Sequence, residues 1–270
     1  MNLRDNIEFD ELKRLYFDEG LTLEEIAARF ECSPTTIRRR MDDLGLAARP
    51  RGPYVDRDRN YEWSPELAYV VGLITSDGNL SSDGRHLQIT SKDYDLLETA
   101  RACLGIDVSI APSLNPRLIY RLQWGDRQFY NWLLNIGLMP AKSLRLGPLA
   151  IPDDCFADFT RGCIDGDGSI ITYTDYYNTF KSDDYVYERL IVSLASGSKP
   201  YLEWMQFTLA RLIGLGGGIY ESRRDRFTSW SLRYMKNDSR RLLKWMYYSS
   251  NVPCLARKRD KALPFLNESD

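Results

Sequence analysis

Two stretches decide the fold: GLITSDG at residues 72–78 and GCIDGDG at residues 162–168. Each closes an apolar run, LAYVVGLITSDGNL from Leu67 to Leu80 and FADFTRGCIDGDGSI from Phe156 to Ile170, and each passes from Asp-Gly straight into a β-like stretch. Gly72 matches Gly162, Asp77 matches Asp167 and Gly78 matches Gly168. A glycine inside a helix costs about 1 kcal/mol against alanine, so both mid-helix glycines call for a reason. Close approach of two helix backbones supplies one. Helices packed through Gly72 and Gly162 would gather Asp77 and Asp167 at adjacent helix C-termini, where the carboxylates repel each other and the negative helix ends. Bound cations would relieve that repulsion, and hard oxygen ligands favour Mg²⁺ or Mn²⁺.

The downstream elements are duplicated in kind. HLQITS (His86 to Ser91) matches RLIVSLAS (Arg189 to Ser196). Amphipathic helices are predicted over Tyr94 to Leu104 and Tyr201 to Ile213. Alternating strands come next, VSIAPSL and LIYRLQW in the first copy, GGIYESR and FTSWSLRYM in the second. Helices over Phe129 to Ile136 and Asp238 to Tyr247 close the two copies. A repeat of this size implies two similar folds about an approximate two-fold axis. An EF-hand starting at Asp165 is excluded, because loop position six is Ile170 and position twelve is Tyr176. TYTDYYNTFKSDDYVYE, residues 172–188, reads as an extended hairpin.

The paired GLITSDG and GCIDGDG motifs, each leading into a β-hairpin, resemble those of the LAGLIDADG homing endonucleases in their single-chain, two-repeat form, over roughly residues 65 to 262. The resemblance implies an α+β fold: two αββαββα units form a pseudo-two-fold dimer whose saddle-shaped antiparallel sheets lie along the DNA major groove. It implies a sequence-specific, divalent-metal-dependent endonuclease of double-stranded DNA with a long, asymmetric site, acting as a monomer. Asp77 and Asp167 would bind the metal, Mg²⁺ with Mn²⁺ as a substitute, while Ca²⁺ would bind without supporting cleavage. Lys142, in MPAKSLRL, and Lys258, in PCLARKRDK, would act on the scissile phosphate or its water network. Gln88 would position water on the strand after the first hairpin. Its counterpart is Ser193, a departure from the amide. Thr75 stands where the first motif more often has Asp; Asp165 keeps the acid in the second.

Ahead of the repeat, three short helices are predicted between residues 9 and 45: Phe9 to Asp18, Leu23 to Phe30 after the Thr22/Glu25 capping box, and a third that starts at Ser33-Pro34 and runs to Leu44. Ile37, Met41 and Leu44 face inward on the third, leaving Thr35, Thr36, Arg38, Arg39 and Arg40 outward. The pair resembles the helix-turn-helix of DNA-binding proteins. The expected organisation is a helix-turn-helix domain over 1–47, a linker over 48–64 with Arg49 and Arg51 able to touch phosphate or a minor groove, a first unit over 65–150 and a second over 151–270.

Composition sets the outer limits. The chain has 270 residues, 43% hydrophobic and 12% aromatic, and its 36 basic and 38 acidic residues nearly cancel. That excludes a uniformly polycationic nucleic-acid coat, but not local phosphate binding. Between Tyr220 and Lys261, twelve basic residues stand against four acidic ones, a local net of +8 that reads as a phosphate-binding surface. Alternation along its strands places Arg224, Arg226, Ser229, Ser231 and Arg233 for base-edge contact. Five cysteines with no CxxC spacing, and one histidine, His86, exclude a Cys/His zinc site and a histidine base. No signal peptide or membrane span is legible, so a cytoplasmic, nucleoid-associated protein is expected. Two other functions use the same surface: a non-cleaving transcription regulator and an intron RNA maturase. An intein is not expected, since the sequence begins with Met and ends without a His-Asn splicing terminus.

Overall fold

A computed structural model describes residues 8–48, 59–113, 118–177, 186–224 and 227–266. The chain divides into two compact units, Met1–Gly52 and Pro53–Asp270.

The N-terminal unit holds α1 (Phe9–Lys13), α2 (Leu23–Arg29) and α3 (Pro34–Asp43) around a core of Leu12, Leu15, Tyr16, Ile26, Ala27, Ile37 and Met41. The single helix predicted over Phe9 to Asp18 is α-helical only to Lys13. Residues Arg14–Asp18 widen into a π turn closed by Glu19 N–H donating to the Arg14 carbonyl at 2.9 Å, and Leu12, Leu15 and Tyr16 are all buried around it. At α2, Thr22 accepts from the Glu25 amide while Glu25 accepts from that of Thr22, the reciprocal capping box. Ser33 caps α3 by accepting from the Thr36 amide, with Pro34 in the first turn.

In the larger unit, Ser64 Oγ accepts from the Leu67 amide and starts α4 (Pro65–Asp77). The chain continues through β1 (Gly78–Leu80), β2 (His86–Ser91), α5 (Tyr94–Leu104), β3 (Ile110–Ser113), β4 (Ile119–Gly125) and α6 (Arg127–Asn135). The order then repeats as α7 (Phe156–Asp167), β5 (Gly168–Asp175), β6 (Tyr187–Ser196), α8 (Lys199–Ile213), β7 (Gly218–Arg224), β8 (Phe227–Tyr234) and α9 (Lys236–Met246). Each αββαββα unit builds a four-stranded antiparallel sheet, in order β1-β2-β4-β3 and β5-β6-β8-β7. One face of each sheet carries Leu80, Leu87, Ile89, Leu122 and Trp124, or Ile170, Leu190, Val192, Leu194 and Leu232, into a shared core. The alternate residues face outward.

Two sequence expectations change and one holds over the described residues. Residues 59–64, placed in the linker, pack on the first unit: Tyr61 is buried, stacks on Phe129 at 4.6 Å and donates to Asp126, and Arg59 donates to the Leu104 carbonyl at 2.7 Å. The PCLARKRDK segment runs into a further helix, α10 (Ala256–Leu266), because Leu255, Lys258, Ala262 and Phe265 fall on one buried face. The hairpin predicted over 172–188 is carried by β5 and β6, whose connection at 178–185 lies outside the described residues.

The two motif helices are the centre of the unit. Every residue of α4 from Leu67 to Thr75 is buried, as is every residue of α7 from Phe156 to Asp165. They cross through their glycines. A Cβ on Gly72 would meet the Phe159 carbonyl oxygen and lie 2.8 Å from the Cys163 nitrogen and 2.9 Å from Gly162 Cα. A Cβ on Gly162 would meet the Tyr69 carbonyl oxygen and lie 3.0 Å from Gly72 Cα. Both obstacles are backbone, which cannot rotate aside. Gly72→Ala or Gly162→Ala should therefore destabilise the larger unit by on the order of 3 kcal/mol or more in denaturant unfolding. Gly147→Ala, where an added Cβ meets nothing within 4 Å, should change stability by less than about 0.5 kcal/mol.

Candidate functional site

The glycine crossing fixes where the two motif helices end. Asp77 and Asp167 are their last residues, and each motif turns at Gly78 or Gly168 into the first strand of its sheet. Asp77 is half-buried and Asp167 more exposed. Burial, with repulsion from Asp167 behind it, pushes the Asp77 carboxyl up to about 6 against the pull of Lys258 and Lys142. Burial raises Asp167 as well, opposed by the same two lysines. Among the described residues, neither carboxylate accepts a hydrogen bond. Asp165 is the contrast: fully enclosed, it accepts from Tyr69 Oη at 2.9 Å and the Leu255 amide at 2.7 Å. Its burial leaves it too at about 6, but it is tied into the fold.

Lys142 and Lys258 sit inside, not on the surface. Lys258 Nζ donates to the carbonyls of Ile164, Asp165 and Gly168 at 2.6, 2.7 and 2.8 Å, with Gly166 O at 3.1 Å. Lys142 Nζ donates to the Gly78 carbonyl, with that of Ser76 at 3.5 Å. The two ammonium groups cap the C-terminal turns of α7 and α4, satisfying carbonyls that a helix end leaves without partners and opposing the negative helix ends. Burial lowers both lysines' affinity for their protons, and the neighbouring aspartates act in the other direction. Backbone carbonyls thus engage the Lys258 nitrogen fully and the Lys142 nitrogen in part, and hold both beside the motif-helix ends.

Strand register places the water-positioning candidates. Gln88 on β2 lies opposite Asn79, two residues past Asp77; Ser193 on β6 lies opposite Ser169, two residues past Asp167. The rows continue to Gln123 and Arg233 on the next strands, giving Asn79–Gln88–Gln123 on one outer face and Ser169–Ser193–Arg233 on the other. Ser229, Ser231 and Arg233 share the outer face of β8. Arg233 stacks over Tyr220 at 5.0 Å and donates to Ser231 Oγ at 2.9 Å. Arg224 pairs with Phe227 at the end of the ladder, whereas Arg226, Arg49 and Arg51 lie outside the described residues.

The +8 stretch is not one surface. Its strand residues face outward, but α9 packs Ser239, Leu242, Leu243 and Met246 inward, and Arg241 donates to the carbonyls of Ile213 and Gly214 at the end of α8. Lys258 is buried, Arg223 pairs with Glu221, and Arg257 with Asp93. In the N-terminal unit Thr35, Arg38 and Arg39 are exposed and Arg40 is half-buried, with Arg38 reaching Asp42 at 3.4 Å. Thr36 is half-buried, its hydroxyl 2.9 Å from the cap's Ser33 Oγ. Sequence reading missed Arg161, fully buried, paired with Asp158 and donating to the Met246 and Pro253 carbonyls at 2.6 and 2.7 Å. Its only sequence signal is the i,i+3 Asp-Arg spacing on an otherwise apolar helix.

No protein-family model matches the chain, and no curated protein sequence matches it. Among solved structures, the meganuclease I-SmaMI bound to uncleavable DNA is 12% identical with a TM-score of 0.51, covering 75% of this chain and 91% of that one. The chain has the LAGLIDADG fold. I-DmoI in complex with DNA and Ca is 18% identical at a TM-score of 0.49, over 73% of this chain and 96% of that one. Full-length DUF199/WhiA from Thermatoga maritima is 15% identical at 0.47, over 79% of this chain, and this chain spans 65% of its length. In the LAGLIDADG fold as this chain builds it, the paired acids stand where the two sheets meet the helix crossing. No helix among the described residues is long and apolar enough to cross a membrane.

Two consequences are measurable. A raised folded-state carboxyl stabilises fully below its unfolded pKa and loses that contribution as pH rises through the folded value. For Asp77 the window runs from about 4 to about 6. Without divalent cation, Asp77→Asn should raise stability by on the order of 1–2 kcal/mol at pH 7.5 and change it little at pH 4, read by thermal melts across pH. Lys258→Met should lower stability by about 3 kcal/mol, since it leaves buried carbonyls without a donor; a lysine serving only an incoming phosphate would show no such loss.

Proposed function

We propose that this chain is a sequence-specific, divalent-metal-dependent endonuclease that cuts both strands of double-stranded DNA at a long, asymmetric site. The observation that carries the reading is the pair Asp77 and Asp167. The two carboxylates end helices that cross at Gly72 and Gly162, are raised by burial, with the charge of Asp167 acting on Asp77, and receive no hydrogen-bond donor from the described residues. Such a pair fits a cation. Among the described residues no cluster of three or more His, Cys, Asp or Glu forms, which suits Mg²⁺, bound by one or two carboxylates with its remaining positions left to water and phosphate oxygens. Mn²⁺ would substitute, and Ca²⁺ would bind without supporting cleavage. A bound divalent cation would supply charge neutralisation at phosphorus and a more acidic water.

The chain's own groups account for the rest. Lys142 and Lys258 anchor the turns that carry the aspartates and favour their ionised forms. Gln88 and Ser193, each one strand across from the residue two past an aspartate, are placed to orient a water on either side of the centre. The outward rows on the sheets offer amide, hydroxyl and guanidinium groups to base edges: Gln and Asn suit adenine, and Arg suits guanine. The rows differ between the units, so the two half-sites would differ in sequence. The N-terminal unit, with Thr35, Arg38 and Arg39 exposed on a short capped helix, would add a helix-turn-helix contact. The likeness to a meganuclease bound to DNA supports the same reading.

The test is selection of bound and of cut DNA from a random-sequence duplex library. Wild-type protein should retain one recurrent duplex in Ca²⁺ and cut it in Mg²⁺. Asp77→Asn with Asp167→Asn should retain the duplex within a few-fold of wild-type affinity and lower cleavage by at least about 10³. Retention without cutting by the wild type in Mg²⁺ or Mn²⁺ would replace this reading with that of a DNA-binding regulator. Preference for structured RNA over every duplex would replace it with that of an RNA maturase.

A further inference from the structure

The two halves of the site are unequal in a way that the repeat does not require. Asp77 opens on a cavity of about 330 Å³ walled by Ser91, Lys92, Asp93, Asp165, Gly166 and Arg257. Asp167 opens on one of about 60 Å³ walled by Lys142, Ser143, Ser196, Gly197 and Tyr201, where the Lys142 ammonium is bonded to the Gly78 carbonyl. The matched positions explain the difference. Strands β2 and β6 end at Ser91 and Ser196, after which the first unit has Lys92 and the second has Gly197. A Cβ on Gly197 would lie 2.8 Å from both Leu144 Cδ2 and the Ser143 carbonyl oxygen, so that side is closed by packing. The next residues are the helix N-caps, Asp93 and Ser198. Ser198 donates to the Leu146 carbonyl, a neutral contact. Asp93 instead takes a charged one. Arg257, the residue before Lys258, donates from Nε and Nη2 to the two Asp93 oxygens at 2.8 and 2.6 Å. Its counterpart before Lys142 is Ala141.

A guanidinium has five N–H donors. The Asp93 fork uses two of Arg257's, and among the described residues nothing accepts from both on Nη1 or the second on Nη2. The side chain keeps 55% of its surface exposed. It also borders a second cavity, of about 300 Å³, that runs along β5 past Ser169 to Lys261. An arginine whose rotamer is already fixed by a carboxylate, with three donors still open and lysines on either side, is preorganised for the paired oxygens of a phosphodiester. We infer that Arg257, oriented by Asp93, is a phosphate-positioning residue for one DNA strand only, seating a backbone phosphate beside Asp77 with no equivalent beside Asp167. The inference rests on the double-stranded DNA reading above and makes its two strand sites chemically different.

The test needs binding and no cutting. Phosphate-ethylation interference would be mapped on the duplex recovered by selection from random-sequence DNA, in Ca²⁺. Wild-type protein should show a central interfering phosphate on one strand without its mirror on the other. Arg257→Gln should lose that signal alone, weaken binding about tenfold and reduce the slope of log Kd against log salt by about one. Arg257→Lys should restore part of the affinity, and Asp93→Asn should blur the signal without removing it. Mirror-symmetric interference in the wild type, or an Arg257→Gln pattern that is unchanged or weakened equally at every phosphate, overturns the inference and leaves DNA binding standing. Recovery of no duplex overturns both together.

Discussion

The contact between Gly72 and Gly162 is the constraint on which the rest of the larger unit depends. Two helices can share backbone contact only where neither carries a side chain, and at this depth each glycine faces the other helix's main chain. Once the helices touch there, their ends are fixed, and with them two carboxylates, two negative helix ends and the first strand of each sheet. The chain then has to neutralise an accumulation of negative charge in its own centre. It does so with Lys142 and Lys258, which arrive from segments 64 residues beyond Gly78 and 90 beyond Gly168 to bind the terminal carbonyls. Closing each unit and capping its motif helix are thus one event. Burial of these ammonium groups without their carbonyl partners would be strongly unfavourable.

Much of this was legible in sequence because it rests on local pattern. Paired glycines within apolar runs announced a backbone crossing. Period-two alternation marked the strands, and their spacing matched Gln88 with Ser193 in the positions that the sheet registers give them. The capping box at Thr22 and the Ser33-Pro34 start are short-range chemistry, and both helices begin there. What failed to show was long-range. Lysine on paper is a surface residue, and nothing near Lys258 in sequence says that its nitrogen will meet carbonyls about 90 positions away. The charge count over Tyr220 to Lys261 summed residues that the fold then sends to opposite sides of a sheet. Arg257 and Asp93 are 164 residues apart, and their pairing exists only because the second unit's last helix reaches the first unit's strand end.

Asp165 and Asp167 supply the sharpest argument about what the centre is for. They are two residues apart on one helix, and burial raises both. Asp165 is tied into the fold through one oxygen, which accepts from a tyrosine hydroxyl and a backbone amide, with a buried lysine near enough to lower its pKa, while its other oxygen has no partner among the described residues. Among the described residues Asp167 and its mate Asp77 receive no donor, although cations are close enough to act on them electrostatically. A fold that only had to be stable would have turned those lysines onto the carboxylates, since an unpaired, partly buried charge costs more than a paired one. Instead the lysines bind main chain, and the carboxylates stay open to a ligand. The two acids are thus offset by the lysine charges at a distance rather than by a direct hydrogen bond among the described residues. Under the proposed reading, a cation at this site would also relieve the repulsion that the glycine crossing creates.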